Sequence, residues 1–383
     1  MTIGFSARAV TACCALSAVC APAFSAHSAV AVTGTGTATP GPAASQPSLP
    51  YGSGTQVRPR AGAPELPDVS ALSWVVADAG SGTVLAAHDP HRPLPPASTL
   101  KTLFALAVLP RFSGDTQHTV SERELADIGP GSSLVGVREG HTYRVADLWR
   151  GVFLNSGNDA VHVLAALNGG VETTVRKMQA KARALGALDT HVVTPDGYDA
   201  PGQVSSAYDL AVFGRAGLRD PDFARYCATA ESTFPGDGGS YEIANTNRLL
   251  TGADGVAAYP GLIGVKNGYT SGAGNTLVAA ARRGGRTLVV TVMNPQEGGG
   301  FAVYEEARSL LDWGFAAAGR VTPIGSLLPA RPPGAAPART ARRHEGDDGA
   351  GWPEAAALAG AVGVGTAALV LALRLKGGRS TRG

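Results

Sequence analysis

Ser98 and Lys101 stand three residues apart in the segment Ser98-Thr99-Leu100-Lys101. On a helix this spacing projects both side chains from one face, a hydroxyl within reach of an amine. A serine hydroxyl becomes a useful nucleophile only when a base takes its proton, and a lysine serves as that base only where burial or a neighbouring cation lowers its pKa. Arginine cannot substitute, because it stays protonated. That contrast is informative in this chain, where 27 of the 32 basic residues are arginines and five are lysines, Lys101, Lys177, Lys181, Lys266 and Lys376. Lysine therefore stands where arginine is the default. Leu100, Thr102, Leu103 and Phe104 surround Lys101, a poor setting for a purely solvated amine.

Two later patches offer complementary groups. Leu154-Asn155-Ser156-Gly157-Asn158-Asp159 lies between two predicted helices and presents a second hydroxyl and a side-chain amide on a tight turn. Lys266-Asn267-Gly268 ends an apolar strand, where glycine lets a substrate backbone approach closely. Each patch alone has a plainer reading: a serine cap with a surface lysine, a helix N-cap at Asn158, a strand-end turn. Taken together and in this order, the SxxK, SxN and strand-borne Lys-x-Gly patches resemble the signature set of penicillin-binding proteins and serine β-lactamases. The stretches Pro96 to Leu103, Ser156 to Ala160 and Gly264 to Thr270 are similar to the low-molecular-weight D-alanyl-D-alanine carboxypeptidases, serine peptidase family S11. Thr194-Pro195-Asp196-Gly197 and Asn245-Thr246-Asn247-Arg248-Leu249-Leu250 resemble that family's connecting segments. The similarity runs from Leu72 to about Leu311.

What the resemblance implies is an acyl-enzyme on Ser98, formed by attack on the terminal D-Ala-D-Ala bond of a peptidoglycan stem peptide, with β-lactams acylating the same serine. Lys101 would take the Ser98 proton, and Ser156 would relay a proton to the leaving amine. Asn158 would hold the substrate amide, and Lys266 would place positive charge near Ser156 and the substrate carboxylate. Asn267, Gly268, Tyr269 and Thr270 complete the expected substrate-binding set, with the backbone N–H groups of Ser98 and Tyr269 as the oxyanion hole. One departure stands out: the family usually has Thr at the position of Asn267, and that hydroxyl helps bind the substrate's terminal carboxylate. A β-lactamase would share the acylating residues, but Glu172, Glu231 and Glu242 lack the Asn four residues on that accompanies the water-activating Glu of class A enzymes. A non-catalytic, membrane-anchored wall-binding or sensor module is the third reading, because Asn267 breaks the pattern.

The elements that must position these residues can be read from hydrophobic period. Leu72 to Asp78 and Thr83 to Ala87 form a hairpin pattern about Gly80-Ser81-Gly82. A helix is expected from Ser98 to Leu109, and further helices at Val145 to Leu154, Asp159 to Leu167, Val171 to Leu185, Ser206 to Leu218 and Pro221 to Ala230. Strands are expected at Leu262 to Lys266, Thr276 to Ala281 and Thr287 to Met293, before a closing helix from Ala302 to Phe315. Strands at both ends with helices between predict an α+β, β-lactamase/D,D-peptidase-like fold, in which N- and C-terminal segments share an antiparallel sheet and a helical cluster is inserted between them.

The ends of the 383-residue chain read differently. Residues 1–29 fit a secretory signal peptide: one charged residue, Arg8, an apolar run and small residues toward its end. A Gly/Pro/Ser/Thr-rich spacer, expected to be disordered, follows over 30–65, and the catalytic domain spans 66–328. A Pro/Arg-rich linker occupies 329–354, an uncharged transmembrane stretch 355–373, and a basic tail 374–383. Basic residues after the span predict a cytoplasmic tail and an extracytoplasmic catalytic domain on a single-pass cell-membrane protein. With the signal removed, Cys227 stands alone and is read as a packed thiol. A net charge of +2 without a basic, aromatic-interleaved stripe gives no footing for nucleic acid. Eight histidines without HExxH spacing and no GxSxG serine point away from zinc and Ser-His-Asp chemistry; no metal or cofactor is expected.

Overall fold

The computed structural model describes residues 52–329. Along the chain these form β1 (Thr55–Val57), β2 (Ala71–Asp78), β3 (Thr83–His88), α1 (Lys101–Val108), β4 (Gln117–Thr119), β5 (Thr142–Arg144), α2 (Val145–Leu154) and α3 (Asn158–Leu167). There follow α4 (Val171–Ala184), α5 (Ala207–Gly217), α6 (Pro221–Cys227), β6 (Glu231–Gly236), β7 (Gly239–Ala244) and α7 (Arg248–Thr251). The described part closes with β8 (Leu262–Thr270), β9 (Gly274–Arg283), β10 (Arg286–Pro295), α8 (Ala302–Ala317) and β11 (Gly325–Ser326).

The main sheet runs β1-β3-β2-β10-β9-β8, with β11 also paired to β3, and every pairing in it is antiparallel. Its centre joins the two ends of the domain, with Val290 of β10 opposite Val76 of β2 on one side and Ala279 of β9 on the other. Both faces are covered. Successive strand residues point to opposite faces, so Leu288, Val290 and Val292 pack with Val303, Leu310 and Leu311 of α8, while Val289 and Met293 join the core beneath the helical cluster α1–α6. Helix starts follow their caps: the Ser206 side chain accepts from Asp209 N before α5, and Asp220 accepts from Asp222 N and Phe223 N before α6, where Pro221, having no N–H, needs no acceptor. The fold is thus the expected α+β arrangement, with the N- and C-terminal segments sharing one antiparallel sheet.

Several local expectations are revised. The spacer expected over 30–65 contributes β1, three residues paired to β3, and Pro59 bridges Val321. A short edge strand needs only backbone partners, so its Gly- and Pro-rich surroundings concealed it. The helix expected from Ser98 begins as a 3-10 turn over Ala97–Leu100 and becomes α-helical only at Lys101. Two hairpins, β4–β5 and β6–β7, were not anticipated. The signal segment 1–29, the spacer up to residue 51, the linker from 330 on, the apolar stretch 355–373 and the tail 374–383 lie outside the described residues. Among the described residues, no helix is long and apolar enough to cross a membrane.

Candidate active site

Ser98 sits where the chain turns sharply from the Pro95-Pro96 segment into α1. Ala97 carries a positive φ of 49°, strained for a residue with a Cβ. Thr99 Oγ1 and Thr276 Oγ1, at 2.5 and 3.0 Å, both donate to Pro96 O and hold the turn against β9. Gly197 packs so closely behind it that a Cβ there would lie 2.0 Å from Ala97 O. On the other side β8 passes over the serine, and a Cβ on Gly268 would lie 2.7 Å from Ser98 N. The serine amide is thereby fixed beside the backbone of β8, as an oxyanion hole shared by Ser98 and Tyr269 requires.

Lys101 lies one turn on, 1% exposed, and its Nζ donates to Ser98 Oγ at 2.7 Å and to Asp196 O at 2.7 Å. Burial lowers its pKa from 10.5 to about 8, against the opposing pull of the Asp196 and Asp159 carboxylates. With a pKa of about 8 roughly a tenth of this amine is neutral at pH 7, far more than for an ordinary lysine, and the neutral form is what a general base needs. Lys266, also 1% exposed, is held well below the ordinary amine range, first by burial and then by the Lys101 cation. The repulsion between them places the two lysines in one electrostatic site. Lys266 Nζ donates to Asn267 O at 2.8 Å and Asn267 Oδ1 at 3.3 Å.

The turn between α2 and α3 supplies Ser156 and Asn158. Ser156 has a positive φ of 58°, and its buried Oγ has no hydrogen-bond partner among the described residues. Asn158 donates through Nδ2 to Ser132 Oγ at 3.0 Å, while its buried Oδ1 is likewise without a partner. Asn158 lines the cavity at Ser98, so its unpaired Oδ1 is available there to a group from outside the protein. The motif's last residue is structural: the Asp159 carboxylate accepts from the backbone N–H groups of Val135, Gly136 and Val137, pinning the loop that carries Ser132.

A cavity of about 230 Å³ opens onto Ser98 and is lined by Asn158, Ser132, Tyr198, Tyr269 and Thr270 among others. Tyr269 is 67% exposed, and Thr270 Oγ1 donates to Asp199 Oδ1 at 2.7 Å, tying the end of β8 to the loop after Gly197. The structure therefore brings Ser98, Asn158, Tyr269 and Thr270 to one cavity, with Lys101 on the serine and Gly268 against its amide. Ser156, Lys266 and Asn267 do not line that cavity. The hydrogen bonds of Lys266 run to Asn267 and not to Ser156.

The sequence reading missed Asp196 and His162. Asp196 is buried, its backbone oxygen receives Lys101, and its carboxylate lies 3.5 Å from His162 Nε2. Burial alone would push that carboxyl up, but His162, the Lys101 cation, the Tyr198 N–H and the Thr194 hydroxyl together hold it at about 2. The Asp-Gly pair after Pro195 was visible as a family segment; its link to a histidine on α3 exists only in three dimensions. Cys227 is a packed thiol, pushed up to about 12 by burial, with Sγ donating to Ile263 O at 3.3 Å.

Comparison with known proteins agrees with this geometry. The D-alanyl-D-alanine carboxypeptidase family, Peptidase S11, matches residues 60–297. The D-alanyl-D-alanine carboxypeptidase DacB2 of Mycobacterium tuberculosis is 43% identical over 270 residues, covering 70% of this chain and 89% of that protein. DacD of Salmonella typhimurium is 39% identical over 262 residues, 66% of this chain and 64% of the relative. Among solved structures, a D-alanyl-D-alanine carboxypeptidase from M. tuberculosis H37Rv superposes with a TM-score of 0.65 at 41% identity, covering 71% of this chain and all of that one. A Streptomyces DD-transpeptidase superposes at 0.60 with 27% identity, covering 66% of this chain and 100% of that one. With a serine and a desolvated lysine in contact on the fold these relatives share, the chain belongs to the serine D-alanyl-D-alanine carboxypeptidases of peptidase family S11.

Proposed function

We propose that the protein removes the terminal D-alanine from peptidoglycan stem peptides through an acyl-enzyme on Ser98, and that β-lactams acylate the same oxygen. The carrying observation is the 2.7 Å contact between Lys101 Nζ and Ser98 Oγ in a site where the amine is 1% exposed. Neutral Lys101 takes the Ser98 proton as Oγ bonds to the penultimate D-Ala carbonyl carbon, and the carbonyl oxygen collects charge facing the Ser98 and Tyr269 N–H groups. The proton passes from Lys101 to the departing D-Ala nitrogen, for which the unpaired Ser156 Oγ is the relay. As the C–N bond breaks, the ester on Ser98 remains, and water hydrolyses it to regenerate the hydroxyl. Asn158 receives the substrate's amide N–H on its unpaired Oδ1.

The carboxylate lining the cavity at Ser98 is Asp199, which accepts from Thr270 Oγ1 and Gly272 N, and no glutamate with an Asn four residues on lines it among the described residues. The proposal extends to location: the apolar segments 1–29 and 355–373 support export followed by tethering, with the catalytic domain outside a cell membrane. The test is release of D-alanine from a D-Ala-D-Ala stem peptide, alongside covalent labelling by a fluorescent penicillin. Wild type performs both and Ser98→Ala neither. Labelling with rapid drug turnover and no D-alanine would make the protein a β-lactamase, and absence of both would make it a binding module.

A further inference from the structure

A second cavity, of about 270 Å³, lies where the ends of α5 and α6 meet the turns of the main sheet, and three arginines line it. Arg215 and Arg219 come from the last turn of α5 and the residues after it. Arg282 comes from β9, where its Nε donates to Thr287 Oγ1 at 3.4 Å. The rest of the lining is small or apolar, Ala79, Gly80, Ala224 and Ile263 among it, and no carboxylate lines the cavity among the described residues. Arg219 and Arg282 are exposed. Arg215 is 8% exposed; its Nη2 donates to Gly80 O at 3.1 Å, while its buried Nε has no hydrogen-bond partner among the described residues.

A buried guanidinium N–H without an acceptor is costly, and cations gathered on one cavity repel one another. Burial and then the Arg219 cation push Arg215 below the ordinary guanidinium range, against a weaker opposing pull from Asp78. The carboxylates close by in sequence are engaged elsewhere: Asp78 accepts from Arg286 Nη1 at 3.0 Å and from Ser81 N at 2.8 Å, and Asp220 caps α6. The carbonyls that end α5 attract cations and so suit Arg215 and Arg219. They leave Arg215 Nε unpaired and do not account for Arg282, which a strand brings to the same cavity. A bound anion answers both points, since it supplies the acceptor and the negative charge together. A phosphoryl group in particular matches the planar, forked donors of arginine.

The described chain passes this corner just before it ends. β11 pairs with Thr83 and Val84 of β3, and Leu327 N donates to Gly82 O at 2.7 Å. A Cβ on Gly82 would lie 3.2 Å from both Arg215 Nε and Leu328 Cγ. Residues 330–354 then separate the domain from the apolar stretch 355–373. We infer that Arg215, Arg219 and Arg282 form a binding site for a phosphoryl group, and that in the anchored protein its occupant is the phosphate of a membrane lipid headgroup. The site does not depend on the carboxypeptidase reading; the lipid as its source rests on the tethering proposed above.

The experiment takes the full chain in non-ionic detergent at fixed ionic strength and titrates it with inorganic phosphate, read by the phosphorus NMR line width. Saturable binding is expected, weakened about tenfold or more in the Arg219→Gln/Arg282→Gln double variant, because each change removes charge-assisted hydrogen bonds. Both residues are exposed and neither lines the cavity at Ser98, so penicillin labelling stays at the wild-type rate and reports an intact fold. Phosphate binding that is absent in the wild type, or within about twofold of wild type in the double variant, overturns the site. The source is read separately, without free phosphate, from the rate at which phenylglyoxal modifies Arg219 and Arg282, resolved by mass spectrometry. Relative to detergent, that rate falls about fivefold or more in phosphatidylglycerol vesicles. It is unchanged in vesicles of digalactosyldiacylglycerol, whose headgroup has no phosphate, and the exposed Arg123 reacts alike in all three. Equal rates at Arg219 and Arg282 in the two kinds of vesicle overturn the lipid phosphate as occupant, and phosphate binding in detergent then assigns the site to soluble phosphate.

Discussion

Replacing Lys101 by methionine keeps the length of the side chain and removes the buried amine. Lowering the amine from 10.5 to about 8 corresponds to about 3 kcal/mol against the ammonium in the folded protein, at about 1.4 kcal/mol per tenfold. Methionine escapes that cost but loses two hydrogen bonds of 2.7 Å, to Ser98 Oγ and Asp196 O, each worth about 1 kcal/mol. The variant is therefore more stable than wild type by about 1 kcal/mol at pH 7. The sign with pH follows from the depressed amine. Between about 8 and 10.5 the unfolded chain binds more protons at this position than the folded one, so wild-type stability rises with pH across that window. Methionine has no such gain, and its advantage shrinks and reverses as pH increases. Removing the Lys101 cation also relieves Lys266, which reinforces the stabilisation at neutral pH. Urea unfolding of both proteins at pH 7 and pH 9.5 reads the difference, and penicillin labelling should fall about 100- to 10,000-fold, the range for loss of a general base. A methionine variant destabilised by 2 kcal/mol or more at pH 7, or one that labels at the wild-type rate, would refute the reasoning.

Two other substitutions probe the supports of the site. Asp196→Asn removes a carboxylate that raises the Lys101 pKa; the acid limb of kcat/KM should move to lower pH, measured as a pH–rate profile, while an upward shift would contradict the assigned charge. Gly197→Ala places a Cβ 2.0 Å from Ala97 O and demands a left-handed φ of 85°; penicillin labelling should be lost and stability should fall by about 2 kcal/mol or more, read by urea unfolding.

The parts of the fold legible in the sequence were those with a clean hydrophobic period. Helix α2 was expected at Val145 to Leu154 and found there, because its apolar residues repeat along one face and Asn155-Ser156-Gly157 stops it. Strands β9 and β10 were visible as apolar runs about Gly284-Gly285. The hairpin β6–β7 was not, because most of its side chains are exposed or half-exposed and Phe234 and Ile243 alone are buried, which leaves no alternating pattern to read. In the site, Ser98, Asn158, Tyr269 and Thr270, named from their motifs, line one cavity with Lys101 on the serine. The Asp196–His162 contact and the Thr246–Asn267 hydrogen bond were illegible, because each joins segments that only the tertiary fold places side by side.

At the centre of the account is an amine deprived of water that takes a proton from Ser98. The rate of Ser98 acylation by a fluorescent penicillin, followed from pH 5 to pH 10 in the full chain, tests it most directly. The account predicts a rate that climbs with pH and levels off with a midpoint near 8, where Lys101 loses its proton. A rate independent of pH across that range, or one that falls as Lys101 deprotonates, would contradict it.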